Sequence, residues 1–587
     1  MARPTTAAFS ELFGGLNLES GTELDNLEAR ELTNLYIRNK GQELQRRKGQ
    51  ALVASGYATG SVDGLKWVRI DGTDYIFSVL GTVYSSGVAV SGGTSRFTAG
   101  NDVNFCKISN KLYFGNGVDQ NCRFDGGSVA QVMPSVPSVT GISGGTGAGT
   151  THFTAGTYTY KITFVSVDGI DSQPSAEFNV FTSTNYERLT FSGIPTAPAA
   201  ENVTARHIWR TFNEGTDFYL VGTVSGNVTT TFIDETPDSD IDTTLALDTS
   251  TVRFPPCRYL VNFQERLAGA HCESSEGDKH TLYVSNYQIP EDCPLVAPLD
   301  QVDDPTFGIR VPLPDDITAL VAWGNVLLVW LRGVCYRLIG DNPNNWSLDK
   351  WIDVGCVAHR SFGSYRNALM WLGQDGVYLA QSWGQVERIS EPIRTVFEGL
   401  TADEMASAHG FVWDDRYYLI IAGVGYWFDL KFKVWGKVTP WEYDTSTVSE
   451  NTGNFRESIY GSVSGSEAIN QMETGTDDLG ESIAVVWESK DRDLGLFGRE
   501  KRVHRVVVHF KAGSGTATVE LYRGGELLDT FTQDISEVPR TGSEISELDE
   551  RASEGARDQF FRMRITADAT GDDWRLLRAG VHYTLAT

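Results

Sequence analysis

Residue types that bind metals cluster once in this sequence. Cys257, His271, Cys272, His280 and Cys293 carry the thiol and imidazole groups that zinc prefers. A zinc site needs four such ligands converging at about 2.0–2.3 Å. Because His271 and Cys272 are adjacent, a strand would point them to opposite faces, so at most one could join a site. We therefore expect buried structural cysteines here, with no metal and no cofactor.

Other motifs that could support catalysis are incomplete. The segment GGTGAGT (144–150) lacks the Lys-Ser or Lys-Thr of a phosphate-binding loop, and no helical pattern follows it, so we interpret it as a linker. No HExxH motif occurs, and the one GxSxG match, GISGG (141–145), lies in the Pro/Ser/Gly-rich stretch 135–150, so no nucleophile elbow is expected there. A glycosidase needs two carboxylates facing across a cleft, whereas Asp414-Asp415 and Asp572-Asp573 stand at positions typical of turns. We predict no catalytic residue and no enzymatic activity.

The basic run Arg46-Arg47-Lys48 is the one candidate for contact with a partner. It stands in NLYIRNKGQELQRRKGQALVASG, between two runs that resemble strands. Two interpretations are open. The run is either a solvated turn, or a contact with a negatively charged neighbouring subunit.

The elements that position these residues are short strands. Among 587 residues, 60 are glycine and 11% are aromatic, a combination typical of strands joined by tight turns. A unit of three or four alternating runs recurs after residue 60, for example in ITALVAWGNVLLVWLRG (317–333). Repetition every 30–50 residues or so predicts an all-β chain, a β-propeller of about six to seven blades. The alternative is a series of separate meanders or sandwiches. Short helices are expected only near SEPIRTVFEGL (390–400) and after Thr401 as an N-cap.

Two further segments interrupt or follow the repeat. We expect an extended segment at 1–60 that closes onto the propeller or an adaptor, the first blades at 61–135, and the remaining blades at 251–480. Residues 136–250 have the strand count of a small sandwich, similar to a fibronectin type III module. Residues 481–587 predict a C-terminal β-sandwich, in which the acidic stretch 536–558 is a long solvated loop.

The charge balance excludes several classes of protein. The net charge is −27, and residues 61–480 hold 27 basic and 50 acidic side chains. A reader of duplex DNA or a peripheral protein of anionic membranes should instead be basic. Seven cysteines without a CxxC pair fit a reduced cytoplasm. The longest apolar run, 317–331, is too short to span a membrane, and the first residues show no apolar signal region, so we expect a protein made in the cytoplasm.

Two segments resemble bacteriophage tail proteins. The opening GGLNLESGTELDNLEARELTNLYIRNKGQELQRRKG looks like the start of nozzle or hub proteins, with a Gly-Leu-Asn phrase, an Asn-containing strand and an Arg-rich turn before Gly. The second segment runs from GVCYRLIGD through AHRSFGSYRNALMWLGQDGVYL, ISEPIRTVFEGLTADEM and WDDRYYLII to YWFDLKFKVW. It is similar to the hub proteins of short-tailed phages, the tail-stabilisation family, over about 100 residues.

The resemblance implies a structural protein of the virion tail, assembled in the host cytoplasm. It implies a homo-oligomeric ring, most often hexameric, below the portal-adaptor complex, with tail fibre, spike or needle proteins as further partners. Genomic DNA would cross the lumen without specific binding, since carboxylates repel phosphate. The alternatives are a receptor- or glycan-binding tail protein, in which Trp441 or Trp574 stacks on sugar, and a propeller-type glycan-degrading enzyme.

Overall fold

The structure is a computed structural model. It describes residues 5–8, 14–19, 28–38, 43–147, 152–182, 184–249, 251–294, 306, 308–450, 456–494, 498–511, 515–535, 545–553, 557–569 and 574–585. The chain divides into two compact units, which are described separately. Unit 1 comprises Met1–Trp67, Ile76–Leu80 and Gly355–Thr587, and unit 2 comprises Val68–Tyr75 and Gly81–Val354.

Five short strands occupy the first part of the chain. The sequences LYIR and ELQR form an antiparallel hairpin in which Leu35 pairs with Arg46. The strands are β1 (Thr5–Ala8), β2 (Ala29–Thr33), β3 (Leu35–Arg38), β4 (Glu43–Arg46) and β5 (Gln50–Ala54).

Two four-stranded antiparallel meanders follow. The Asp71-Gly72 joint of the first has positive φ at both residues, as the primed turns of tight hairpins require. The first meander contains β6 (Gly64–Ile70), β7 (Thr73–Leu80), β8 (Thr82–Ser85) and β9 (Val88–Ala89). The second contains β10 (Asn104–Ile108), β11 (Lys111–Gly115), β12 (Cys122–Phe124) and β13 (Val129–Gln131).

An inserted lobe of two sheets lies next in unit 2. Alternation in TYTYKITFV buries Tyr158, Tyr160 and Ile162, which pack in one core with Leu189 and Phe191 of the other sheet. The strands are β14 (Ser143–Gly147), β15 (Gly156–Val165), β16 (Phe178–Thr182), β17 (Arg188–Ser192), β18 (Ala205–Arg210), β19 (Tyr219–Ser225) and β20 (Thr231–Asp234). One sheet has the order β14-β17-β20 and the other β16-β15-β18-β19, so the predicted sandwich is present.

Unit 2 continues with two more meanders. Gly324, at φ +60°, makes the predicted turn inside the apolar run 317–331. The strands are β21 (Thr251–Arg253), β22 (Tyr259–Phe263), β23 (Arg266–Ala270), β24 (Thr281–Val284), β25 (Asp292–Pro294), β26 (Ile309–Pro312), β27 (Ile317–Trp323), β28 (Val326–Leu331), β29 (Cys335–Ile339) and β30 (Ser347–Ile352). The sheets are β22-β23-β24-β26 and β27-β28-β29-β30, with β21 paired to β25.

Unit 1 contains three further meanders and both α-helices. Thr401 caps the second helix in a capping box with Glu404, as its sequence predicted. The elements are β31 (Gly363–Tyr365), β32 (Ala368–Gly373), β33 (Gly376–Gln381), β34 (Gln385–Arg388), α1 (Arg394–Glu398), α2 (Ala402–Ser407), β35 (His409–Trp413), β36 (Arg416–Ile421), β37 (Val424–Asp429), β38 (Val434–Val438), β39 (Tyr443–Glu450), β40 (Arg456–Val463) and β41 (Ile469–Met472). Strand β5 completes the last meander by pairing with β41.

The C-terminal part of unit 1 forms the predicted sandwich. Its strands are β42 (Ile483–Ser489), β43 (Lys501–Lys511), β44 (Thr516–Arg523), β45 (Glu526–Asp534), β46 (Ile545–Arg551), β47 (Arg557–Asp558), β48 (Phe561–Ala569) and β49 (Arg575–Leu585). Strands β3 and β4 extend the sheet β49-β43-β46, to which β1 and β47 are added. Strand β2 joins the meander β35-β36-β37-β38 to β42-β48-β44-β45 in one nine-stranded sheet.

The predicted fold class is confirmed. The chain is all-β, and its described residues hold seven four-stranded propeller blades, counting the last one that β5 completes. One expectation about the C-terminal sandwich is wrong. The acidic stretch 536–558 is not a loop throughout, because Ile545–Arg551 pairs with β43 over seven positions. Residues 536–544 and 554–556 lie outside the described part of the chain, as do 148–150 of the glycine-rich linker and Asp572-Asp573.

Candidate functional site

The basic run at 46–48 does not form a solvated turn. Arg46 and Arg47 are 3% and 1% exposed, and only Lys48 is exposed. Arg46 donates to the carbonyl of Thr476 at 2.9 Å. Both interpretations of this run assumed exposed guanidinium groups. Both interpretations are therefore wrong for Arg46 and Arg47, because these two side chains bind groups inside unit 1.

Arg47 is fully satisfied in the interior. Its Nε donates to Asn34 Oδ1 at 2.9 Å, and its two remaining nitrogens donate to both carboxylate oxygens of Asp478 and to the carbonyls of Lys48 and Thr439. All five donors of the guanidinium thus have acceptors. Burial alone would lower the pKa of Arg47, but the Asp478 carboxylate outweighs burial and raises the pKa. The group is a permanent buried cation.

A second buried pair lies beside Arg47. The Tyr36 hydroxyl donates to Glu473 Oε1 at 2.6 Å, and the backbone N–H of Lys48 donates to Oε2 at 3.2 Å. Burial raises the pKa of Glu473 above its ordinary value. The guanidinium of Arg416 lies 4.5 Å from the centre of the Tyr36 ring. We call Tyr36, Arg47, Glu473 and Asp478 the anchor network.

A glycine allows the anchor network to form. A Cβ on Gly49 would lie 1.7 Å from the carbonyl oxygen of Asp477, so no other residue fits. The Gly49 carbonyl accepts from Thr474 N–H at 3.0 Å, and Gln50 N–H donates to the Asp477 carbonyl at 2.9 Å. The Arg-rich turn before Gly is therefore a packing motif. It fastens the start of the chain to residues 473–478.

A polar junction ties the inserted lobe to the second blade within unit 2. Asp168, in the turn after β15, accepts from Lys111 Nζ at 2.5 Å and lies 2.6 Å from Arg123 Nε. The Arg123 side chain is 1% exposed. Glu201 of the lobe accepts from the N–H and hydroxyl of Ser135 at 2.9 and 3.0 Å. The lobe is thus fixed at its base by specific buried contacts.

A cleft of about 220 Å³ opens beside this junction, and we call it the junction cleft. Its lining combines apolar side chains, a tryptophan and three carboxylates. The lining residues are Met133, Ile170, Asp171, Ser172, Gln173, Trp209, Ala246, Leu247, Asp248, Val252 and Asp292. A neighbouring cleft of about 310 Å³ shares Gln173 and Val252 with it, so the two clefts adjoin.

One carboxylate of the junction cleft is held by a histidine. His207 Nδ1 lies 2.9 and 3.1 Å from the two carboxylate oxygens of Asp171. The Thr163 hydroxyl also donates to Asp171, and Trp209 Nε1 donates to Thr163 at 2.9 Å. These bonds fix the orientation of Asp171 and Trp209. Sequence reasoning missed the cleft, because its lining comes from five segments far apart in the chain.

The cysteines are buried thiols. All seven are free, and burial raises the pKa of the Cys122 and Cys356 thiols to about 12. His271 instead contacts the carbonyl of Ile317 at 2.9 Å and Glu273 at 3.4 Å, and His280 faces Asp278 at 3.5 Å. Among the described residues, no group of three or more His, Cys, Asp or Glu side chains is placed to hold a metal ion.

The remaining candidates lie in turns or in the core. Asp414 and Asp415 have φ of +46° and +59° in the turn between β35 and β36, as predicted. Trp441 and Trp574 are 0% and 1% exposed, so neither can stack on a sugar in this structure. In the described part of the chain, no helix is long and apolar enough to cross a membrane.

Comparison with known proteins gives similarity only to solved structures. No protein-family model and no curated protein matches the chain. YCF48 bound to D1 peptide is 8% identical, with 73% of this chain and 96% of that chain covered at a TM-score of 0.27. The Neurospora crassa Pan2 WD40 domain is 9% identical, with 65% and 90% covered at 0.26. An exo-beta-1,3-galactanase from Phanerochaete chrysosporium is 8% identical, with 91% and 100% covered at 0.17. At these values the similarity assigns no activity, ligand or partner to this chain.

Proposed function

We propose that the chain is a structural protein of a short-tailed bacteriophage tail. In this proposal it forms a nozzle or hub ring below the portal-adaptor complex. The ring conducts and gates the genome during ejection, and it carries the distal tail parts or fibres. The proposal begins from the resemblance of residues 14–49 and 333–435 to tail hub proteins.

One structural observation carries this proposal: the two resembling segments pack against each other in unit 1. The N–H of Leu16 donates to the carbonyl of Trp435 at 2.7 Å, and the N–H of Leu18 donates to the carbonyl of Pro392 at 2.7 Å. The rings of Tyr36 and Trp427 also meet edge to face, with their centroids 5.5 Å apart. If the two segments resembled tail proteins independently of each other, they would have no reason to pack together. The packing supports the view that both segments belong to one fold.

The interlocked strands suit a protein under mechanical load. Strands β1 to β5 add to three different sheets, whose other members lie about 350 to 580 positions later in the sequence. Because the first strands pair with strands from the last part of unit 1, separating them breaks contacts between residues far apart in the sequence. A conduit that holds a pressurised genome needs such cooperative stability.

The charge supports passage of DNA without retention. With a net charge of −27 per chain, a ring of copies would carry a strong negative potential. DNA phosphates would be repelled by carboxylates along a duct and would find few lysine or arginine clusters to bind. The same charge would also keep the free protein soluble before assembly.

Gold-labelled antibody against the purified chain tests the location in the phage that encodes it. We expect label at the tail, on the axis below the head, and particles lacking the chain should fail to keep or deliver their DNA. Label on peripheral fibres, together with binding on a glycan array, would favour the receptor-binding alternative. Degradation of a host polysaccharide by the purified protein would favour the enzyme.

A further inference from the structure

The junction cleft has a chemical character that neither the anchor network nor the proposed conduit uses. Its lining includes the apolar side chains of Met133, Ile170 and Leu247. The carboxylates of Asp171, Asp248 and Asp292 lie among the same lining residues. A long side chain that ends in a cation matches both features, since its aliphatic stem covers apolar surface and its head meets carboxylates.

The volume of the cleft indicates whether it would hold a whole small molecule or a single inserted side chain. Sites for small molecules usually measure about 300–1,000 Å³, whereas the junction cleft measures about 220 Å³. Trp209 is only 7% exposed, so its ring face is not open for stacking on a sugar. A single inserted side chain therefore fits better than a sugar ring or a cofactor.

The neighbouring cleft has groups that suit a peptide backbone. It is lined by Pro134, Val136, Gln173, Val252, Arg253, Glu276 and Arg310. Arg253 and Glu276 form an ion pair, with Nε 3.2 Å from Oε2. The Gln173 amide, shared by both clefts, can both donate to and accept from a peptide group. A segment that places a side chain in the first cleft can continue into the second.

The charge of the inserted lobe favours a basic partner. Residues 136–250 contain four basic and thirteen acidic side chains, a net charge of −9. Such a field attracts cationic partners and raises their association rate. The lobe is also fixed at its base by Asp168 and Arg123, so the junction cleft is held in one shape before a partner arrives.

We propose that the junction cleft binds an arginine or lysine side chain presented by an extended segment of a partner protein. The apolar side chains of the lining hold the aliphatic stem, Asp248 and the neighbouring carboxylates receive the cation, and the adjoining cleft receives the flanking backbone. This assignment does not depend on the conduit role, because any partner with a basic extended segment would satisfy it.

Ligand-observed NMR with short peptides tests the assignment on the full chain. The probes are acetyl-Gly-Arg-Gly-amide, the same peptide with neutral citrulline in place of arginine, a glutamate version, and spermidine. At physiological salt we expect the arginine peptide to bind with a dissociation constant on the order of 1 mM. The citrulline peptide should bind at least about fivefold more weakly, because it lacks the charge.

Two variants locate the site. Asp248→Asn should weaken the arginine peptide by about three- to tenfold, and Ala246→Trp should abolish binding by filling the cleft from an exposed position. Asp217→Asn is the matched control, since Asp217 is an exposed acid of the same lobe that does not line the cleft. Equal binding of the citrulline peptide, tighter binding of spermidine, no binding of any peptide, or unchanged binding to Ala246→Trp would each overturn the proposal.

Discussion

Arg47 and Asp478 lie 431 positions apart in the sequence, and their side chains form a two-point ion pair in the interior of unit 1. The arginine side chain is fully buried and the aspartate is 10% exposed. The pair lies where the start of the chain meets the segment that follows the last blade. It therefore couples the folding of the two ends of unit 1.

Removing the cation should unfold unit 1 more easily. Arg47→Ala leaves the Asp478 carboxylate buried without its partner, which typically costs about 3–5 kcal/mol. Lys48→Ala, at the exposed neighbour, should change stability by no more than about 0.5 kcal/mol. Urea unfolding of the three proteins measures both values. A similar small loss in both variants would show that the ion pair contributes nothing specific.

Gly49 should tolerate no side chain. In Gly49→Ala the new methyl group would overlap the Asp477 carbonyl, and overpacking of this kind costs about 1–3 kcal/mol or more. Gly399→Ala is the control, because nothing lies within 4 Å of its Cβ position and its backbone is right-handed helical. We expect thermal unfolding to shift only for Gly49→Ala. Equal melting temperatures for the two variants would contradict the close approach.

Buried His409 should make unit 1 sensitive to acid. Burial, aided by the nearby Arg360 cation, lowers the pKa of His409 to about 3. An ordinary histidine in the unfolded chain titrates near pH 6.5. The unfolded state therefore binds the proton first, so stability is full above pH 6.5 and falls with pH by about 1 kcal/mol per pH unit below it.

The substitution His409→Gln removes that proton site. Between pH 7.5 and 5.5, its free energy of unfolding should vary less than that of the natural protein. Denaturant titrations at pH 7.5 and pH 5.5 measure this difference. If the free energy of unfolding changes as much between the two pH values in His409→Gln as in the natural protein, groups other than His409 control the pH dependence.

We expect that the inserted lobe can be removed only if the cation of Arg123, which pairs with Asp168 of the lobe, is removed as well. Excising residues 140–249 takes away Asp168, which lies 2.6 Å from Arg123 Nε, and leaves the guanidinium with Asp125 as its ion-pair partner, so we expect a less stable and less soluble protein. Adding Arg123→Met should recover soluble protein, because the charge is then gone. Soluble expression and circular dichroism of the two deletions test this expectation. Equal recovery without Arg123→Met would show that the junction is not needed.

Local patterns predicted the fold well where neighbours in sequence are neighbours in space. The alternation in 317–331 and the joint at Gly324 predicted β27 and β28, and Thr401 predicted the start of α2. Strand Ile545–Arg551 was missed, because its acidic residues favour solvent and its partner β43 lies more than 30 residues earlier. Its strand conformation follows from pairing with β43, not from its composition.

The candidate site could be predicted only in part. The sequence indicated that Arg46, Arg47 and Gly49 form a special turn, but it could not show that Asp477 and Asp478 would cover it. A basic run is normally solvated, and only a distant carboxylate makes its burial possible. The junction cleft could not be predicted for the same reason, since it exists only where five separate segments meet.

A cryo-electron-microscopy map of the tail of the phage that encodes this chain tests the central claim most directly. We expect several copies, six in the simplest case, arranged around the tail axis immediately below the portal-adaptor complex, with DNA passing through their centre. The seven blades and two sandwiches should be recognisable in each copy. A single copy, or copies found only in peripheral fibres, would contradict the account.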